Sequence, residues 1–415
     1  MSWPLRSVSE LCEFAVDCVN KTAPVVDQET PYKMIRTTNV KRGFIDIQDV
    51  RCVTEDTFEK WTRRSRPRYG DVILTREAPV GEVGRCTFSD DENIFLGQRL
   101  FHYRPDPKKL DWNFLAYVLQ SPEVQGRLHG RSFGATVPHV KVSDAESLLI
   151  PCPPLDEQRR IGYLLANYDD LISTNQRRID LLEDAARRLY REWFVHLRFP
   201  DHDSVPVKDG VPEGWRPSTF AELVEINPRT PFTKGVERPF VEMSALSETS
   251  MIIGQRSMRV IGGGAKFKNG DTLFARITPC TENGKTGFVQ FLEDDDAVAS
   301  GSTEFIVLRS ATVNPWWVYC IAREDNFREH AIRSMAGSDG RQRVNPKCFD
   351  QLTTLQPPQS VLAQFEQAVK DSFVQIEALC SQIEQLARAR DLLLPKLMSG
   401  QLDVSGIRLP EEVAI

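Results

Sequence analysis

From Ile161 onward, apolar side chains return at alternating steps of four and three: Ile161, Leu165, Tyr168, Ile172, then Ile179, Leu182, Ala186, Leu189 and Trp193, with Asn175 the one polar interruption. Such steps average about 3.5 residues, the period of a coiled-coil seam. Charged pairs such as Arg177-Arg178 and Glu183-Asp184 fall on other faces. The stripe returns 204 residues later at Phe365, Val369, Ile376, Leu379, Ile383, Leu386, Leu393 and Leu397, with Ser372 and Arg390 as polar exceptions. Pro153-Pro154 and Pro357-Pro358 stop any earlier element, and Asp156 and Ser360 stand two residues on as N-caps, so a long helix is predicted from each pair. The first is expected to reach His196, about 40 residues or about 60 Å. The second is expected to kink or end at Pro395. A narrow stripe of this length needs a partner of equal length, and each helix supplies the other. The chain order domain, helix, domain, helix lays the two antiparallel. Asn175 is a candidate register pin, although its aligned position, Leu379, offers no amide.

Outside the stripes, short β-type runs alternate with Gly, Asp and Pro: Tyr32–Val40, Asp71–Arg76 and Leu100–Tyr103, then Pro239–Met243, Asp271–Ile277 and Glu304–Leu308. Each set is followed by a helical pattern, Trp112–Leu128 and Trp316–Ile332. These are two copies of one unit. Gly70-Asp71-Val72-Ile73-Leu74-Thr75-Arg76 recurs as Gly270-Asp271-Thr272-Leu273-Phe274-Ala275-Arg276, 200 residues on. Trp112 recurs as Trp316, and Trp3 and Glu10-Leu11 as Trp215 and Glu222-Leu223. A period this long means tandem domains rather than a solenoid. The predicted fold is α+β: mixed α/β domains at 1–154 and 201–356, separated by helices at 155–200 and 357–415 that form an antiparallel coiled coil with pseudo-twofold symmetry.

Composition narrows the class. The chain has 415 residues, 41% hydrophobic and 27% charged, which is ordinary for a globular protein and excludes collagen-like or disordered chains. No apolar run approaches the roughly 20 residues that span a bilayer. Met1-Ser2-Trp3-Pro4 lacks the basic stretch and apolar core of a secretory signal, so the expected compartment is the cytoplasm. Nine cysteines without a Cys-x-x-Cys pair read as reduced, mostly buried thiols rather than a disulfide framework or a zinc site, and no metal ligands are expected. A net charge of −6 excludes a uniformly cationic nucleic-acid binder, so any DNA contact is local. Two similar domains at a set separation nevertheless suit a repeating partner, and double-stranded DNA, with about 34 Å per turn, is the leading candidate.

Two segments carry a family resemblance. Ile150-Pro151-Cys152-Pro153-Pro154-Leu155-Asp156-Glu157-Gln158-Arg159-Arg160-Ile161 resembles the Pro-Pro-Leu-x-Glu-Gln entry into the central helix of type I restriction–modification specificity subunits. Leu393-Leu394-Pro395-Lys396-Leu397-Met398-Ser399-Gly400 resembles that family's closing segment. The second copy departs from the pattern, with Ser360-Val361-Leu362 in place of Asp156-Glu157-Gln158. The resemblance implies two target recognition domains, each reading half of a split DNA sequence, with helices that set the spacer and dock two methyltransferase subunits. It further implies restriction and motor subunits that join the complex, and S-adenosylmethionine, ATP and Mg²⁺ bound by partners, with no cofactor on this chain. The chain would be reader and scaffold, not catalyst.

The residues agree with that division. Asn227-Pro228-Arg229 and Asn314-Pro315-Trp316 lack the second proline of an amino-methyltransferase motif, and Pro279 stands where a phosphate-binding loop ending in Gly284-Lys285-Thr286 needs glycine. The acidic run Glu293–Asp296 reads as a solvated turn. A nucleotide-dependent nuclease built on these segments and a protein-interaction scaffold without DNA readout are the alternatives. DNA contact needs basic and planar hydrogen-bonding side chains on loops. In the first copy these are Arg63, Arg64, Arg66 and Arg68, then Arg76, Arg131, Thr136, His139 and Lys141. In the second they are Arg276, then Glu282, Asn283 and Lys285, and finally Arg341, Gln342, Arg343, Asn345 and Lys347.

Overall fold

The computed structural model describes residues 3–132, 138–233, 235–260, 262–338 and 340–410. A central helix spans Leu155–Tyr190 and closes in a π-helical turn over Arg191–Val195, and a C-terminal helix spans Gln359–Met398. The central helix starts directly after Pro153-Pro154, so Asp156 lies in its first turn rather than at the cap, where its carboxylate still meets the positive helix end. Pro395 does not end the second helix where it stands. It falls in the last turn, where little of the ladder remains to be lost; Ser399 N donates to the Pro395 carbonyl, and Gly400 at φ +69° closes the helix.

The chain forms two compact units, Met1–Ile172 with Gln385–Ile415, and Ser173–Glu384. Each takes in half of both helices and one globular region. In the first, strands β1 (Cys12–Asp17), β2 (Tyr32–Ile35), β3 (Val72–Arg76), β4 (Val80–Arg85), β5 (Asn93–Leu96) and β6 (Leu100–Pro105) build an antiparallel sheet in the order β1-β6-β3-β4, while β2 pairs with β5 in parallel. In the second, β7 (Val224–Ile226), β8 (Glu237–Val241), β9 (Thr272–Ala275), β10 (Thr286–Phe288), β11 (Ala299–Gly301) and β12 (Phe305–Ser310) repeat that plan. The sheet runs β7-β12-β9-β10, and β8 pairs with β11 in parallel. Register makes the copies comparable residue by residue: His102 faces Ile73 and Val307 faces Leu273.

The helices run antiparallel within each unit. In the first, Asp169 pairs with Arg390, and Ile161 and Leu165 share a core with Leu397 and Met398. In the second, Asn175 Nδ2 donates to Gln382 Oε1 at 3.3 Å, and Tyr190 meets Phe365 with ring centroids 6.3 Å apart. Asn175 therefore has an amide partner after all, because antiparallel pairing sets it opposite Gln382 and not opposite its repeat equivalent Leu379. Arg390 interrupts the stripe because it neutralises Asp169, which is fully buried and also bonded by the Tyr117 hydroxyl.

The stripes have a second partner. Ile161 and Leu165 are buried with Phe114, Leu115 and Ile150; Ile179, Phe365, Val369, Ile376 and Leu379 are buried with Trp317 and Tyr319. The expectation that only the opposite helix covers them is corrected. A half-helix of about 27 Å is short enough for one domain to cover. Ile172, Leu182, Leu189, Ile383, Leu386 and Leu393 are half-buried. Tyr190 and Phe194 pack on Trp317 of the second unit, and Trp193 on Phe365, so these aromatic rings are held within that unit's core. Of the nine unpaired cysteines four are buried and five partly so, fewer buried than expected. No helix among the described residues is long and apolar enough to cross a membrane.

Candidate nucleic-acid interface

The repeated Gly-Asp pair proves to be a structural lock. Gly70 and Gly270 take φ +87° and +85°, a region that strains any L side chain, and turn the chain into β3 and β9. The next residue's carboxylate folds back on the turn: Arg68 N donates to Asp71 Oδ2 at 2.8 Å, and Lys268 N to Asp271 Oδ2 at 2.9 Å. An arginine on the neighbouring strand then grips it with two parallel bonds, Arg104 to Asp71 at 2.8 and 2.7 Å and Arg309 to Asp271 at 2.7 and 2.6 Å.

In the first unit a histidine joins. His102 Nε2–H donates to Asp71 at 2.7 Å, and the Ser65 hydroxyl meets Nδ1 at 2.9 Å. Burial lowers the His102 pKa against the pull of Asp71, so the neutral ring accepts from Ser65. This serine, histidine and aspartate are connected in the order of a hydrolase triad, but the imidazole is completely buried and Asp71 is committed to Arg104, so the group serves packing. Burial pushes the Asp71 carboxyl up, and Arg104 and His102 outweigh it and hold it below the usual range. At Asp271 burial prevails over Arg309 and the carboxyl lies above that range.

The basic run Arg63–Arg68 belongs partly to this lock. Arg66 Nη2 donates to the carbonyls of Asp90 and Glu92 and to Asn93 Oδ1, with its guanidinium over the Phe58 ring, so it is a strut and not a free loop cation. Arg64 pairs with Asp17. The side chains of Arg63 and Arg68 are exposed. This run lies before β3 and Arg76 ends it, so the two groups stand at opposite ends of a five-residue strand, about 17 Å apart. A single compact contact does not include both.

The far ends of β3 and β9 bring other candidates together. Arg276 N donates to the Glu304 carbonyl, Val344 N to the Arg276 carbonyl, and Ile277 bridges Arg343. Arg76 N likewise donates to Arg99, Val140 N to Arg76, and Glu77 bridges His139. In both units a cis X-Pro bond follows, Ala78-Pro79 and Thr278-Pro279. On this frame Arg343 grips Glu304 through Nε and Nη2, at 2.9 and 2.8 Å, and Arg276 Nε reaches the same carboxylate at 3.2 Å. The Arg343 fork, working against burial and helped by Arg276, holds Glu304 below its ordinary pKa. In the first unit Arg99 pairs with Glu77 at 3.2 Å, and Arg76 Nη1 donates to the Val140 carbonyl. Arg276 and Arg343 are thus already paired, and Glu304, Arg99 and Glu77 were missed from sequence. The signal available was position: Glu304 and Arg99 directly precede β12 and β6 in a repeat already found.

The remaining candidates scatter. Asn345 caps the turn at Lys347 N, and Asn283 Nδ2 donates to Glu248. Lys285 Nζ reaches the Met243 carbonyl at 3.4 Å, and buried Arg323 holds the carbonyls of Gly284 and Glu248, so Gly284-Lys285-Thr286 is a braced turn and not a phosphate cradle. Gln342 accepts at its carbonyl from Thr278 N. Glu282, Arg341, Lys347, His139 and Lys141 are exposed, and Arg131 is half-buried. Thr136 lies outside the described residues. Asp294 caps the acidic run internally through Asp296 N and Ala297 N. Among the described residues no three His, Cys, Asp or Glu side chains are grouped as metal ligands.

Two mixed domains, each carrying a Gly-Asp-Arg lock and half of two antiparallel helices, thus make up the chain. Residues 2–184 match the family described as the type I restriction modification DNA specificity domain. The chain is similar to the type I restriction enzyme MjaIX specificity subunit of Methanocaldococcus jannaschii, 23% identical over 85% of this chain and 82% of that one. It is also similar to the putative MjaX specificity subunit of the same organism, 22% identical over 97% and 94% of the two chains. The crystal structure of the type I restriction-modification S subunit from M. genitalium shares the fold, with a TM-score of 0.57 at 16% identity over 96% of each chain. The chain is thus similar to type I specificity subunits over most of its length, in line with the resemblance carried by Pro153-Pro154-Leu155 and Leu393–Gly400.

The motif that signals the relationship has a mechanical role here. Gln158 is buried, accepts from Asp111 N at 3.0 Å and donates to the carbonyls of Lys109 and Pro153, tying the helix start to the helix at Trp112–Gln120. The second unit makes the same tie from other donors, with Asn314 Nδ2 on the Leu362 carbonyl and Gln359 Nε2 on that of Thr312. This accounts for the lost Glu-Gln.

Proposed function

We propose that the chain is the DNA sequence-specificity subunit of a type I restriction–modification complex, and that each compact unit reads one half of a split site. The observation that carries this reading is duplication with variation: the strand plan, the Gly-Asp-Arg lock and the strand-end frame recur, while the side chains on that frame differ. In this reading the two helices set the spacer and dock two methyltransferase subunits, and restriction and motor subunits join them. The chain itself performs no catalysis. S-adenosylmethionine, ATP and Mg²⁺ act on the partners, and the complex works in the cytoplasm. Local cationic and planar side chains fit an acidic chain that contacts DNA at a few places and not through bulk charge. The test is to map methylated adenines in DNA from cells with and without this chain. The expected result is a split motif with a constant gap that disappears on deletion; an unchanged methylation pattern would overturn the reading.

A further inference from the structure

The two strand-end frames differ in a way the two locks do not. The locks keep Gly, Asp and Arg in both units, as a device that holds the fold must. The frames keep one side chain, Arg76 or Arg276, and change three: Glu77 becomes Ile277, Arg99 becomes Glu304, and His139 becomes Arg343. Backbone positions are conserved to the hydrogen bond, with Arg76 N to Arg99 O at 2.9 Å and Arg276 N to Glu304 O at 3.0 Å, followed by Val140 N to Arg76 O at 2.9 Å and Val344 N to Arg276 O at 2.8 Å. A fixed frame presenting different polar groups is what reading two different sequences with one fold requires.

The chemistry in the second unit is specific. A guanidinium has two bidentate edges, one formed by Nε and Nη2 and one by Nη1 and Nη2. Arg343 Nε donates to both oxygens of Glu304, and Nη2 stands 2.8 Å from Oε1, so the carboxylate occupies the first edge. That fixes the plane of the group and leaves the outer edge, two parallel N–H donors, which matches the O6 and N7 acceptors of guanine in the major groove. The Arg343 side chain is 43% exposed and Glu304 21%, so the first is presented and the second braces it from behind. Glu304 is itself steadied by Arg276.

We propose that Arg343, aimed by Glu304, reads a guanine in the half-site of the second unit. Arg343 is the specificity-determining residue and Glu304 a positioning residue. The proposal rests on the function given above, and the competing account is an exposed ion triple or a phosphate contact.

The test uses the full-length chain with the methyltransferase of its own complex, a library of duplexes randomised over both half-sites, and the variants Arg343→Lys, Arg343→Ala and Glu304→Gln. Arg343→Lys keeps the charge and loses the fork; it is expected to lose about ten-fold in preference for guanine at one base pair of one half-site. The other half-site and the salt dependence stay as they were. Arg343→Ala should lose the same preference. Glu304→Gln should lose part of it, which a structural role alone would not do at a single base pair. If every variant selects the wild-type motif, or affinity falls evenly across sequences with a shallower salt slope, the proposal is overturned. If the wild-type chain selects no split motif, the functional reading fails as well; an unaltered split motif in the variants sinks this inference alone.

Discussion

Asp71 and Asp271 occupy the same turn, accept the same backbone bond and meet the same arginine fork, yet their carboxyls are displaced in opposite directions. The difference traces to one position on the neighbouring strand: His102 donates a further bond to Asp71, whereas Val307 stands there in the second unit and packs into an apolar core. An extra donor more than offsets the desolvation of a buried carboxylate, and its absence leaves desolvation in charge. One frame therefore tolerates two electrostatic solutions, provided the arginine stays.

The largest expected effect tests that proviso. Arg309→Ala leaves Asp271 buried with only a backbone donor, and should destabilise the second unit by about 3–5 kcal/mol. Arg104→Ala should cost the first unit about 1 kcal/mol less, because His102 remains. Hydrogen exchange of peptides from each unit measures both losses; equal losses would show that His102 contributes nothing to the lock.

A smaller effect concerns what the units share. Gly70→Ala and Gly270→Ala place a Cβ no nearer than 4.0 Å to Trp112 Cγ and 3.6 Å to Pro315 Cγ, so no clash arises and only the positive φ is penalised. Each should cost about 1–2 kcal/mol, equally in the two units. Unequal losses on thermal unfolding would break the equivalence of the turns.

The smallest effect is in pH. His102 has a lowered pKa in the fold, so below its ordinary value of 6.5 the unfolded chain takes up a proton that the native ring refuses, and the first unit loses stability as pH falls. The loss grows between pH 7 and pH 6, as the unfolded histidine becomes protonated. Asp71, with a lowered pKa, continues the trend as pH falls below 3.8; Asp271, raised, has the opposite sign, and acidification relieves its burial. Exchange measured unit by unit at pH 7 and pH 6 should show the first opening more readily, and His102→Val should abolish the difference in slope. Parallel slopes in the wild-type chain would remove the histidine from the account.

Much of this was legible along the chain. The repeat, the β-rich domains, the two long helices after Pro153-Pro154 and Pro357-Pro358, and the Gly-Asp turns follow from periodicity and from residue types whose backbone preferences are local. Candidate contacts were legible only as residue types. Sequence places Arg66, Arg276 and Arg343 on loops, but whether an arginine is free depends on what the fold sets against it. Arg66 meets carbonyls 24 and 26 residues on, and Arg276 and Arg343 meet a glutamate 28 and 39 residues away.

By itself the amino-acid order determined that there are two copies of one unit, where the turns and helices fall, and which family the chain resembles, because spacing, glycine and proline act on near neighbours. The tertiary structure alone decided that Asn175 meets Gln382, that Arg390 answers Asp169, that the helical stripes are shared with two cores, and that Glu304 holds two of the candidate arginines. Charge pairing and burial are set by which strands and helices become adjacent. Those neighbours lie tens to hundreds of residues apart in the chain, beyond the reach of any local signal.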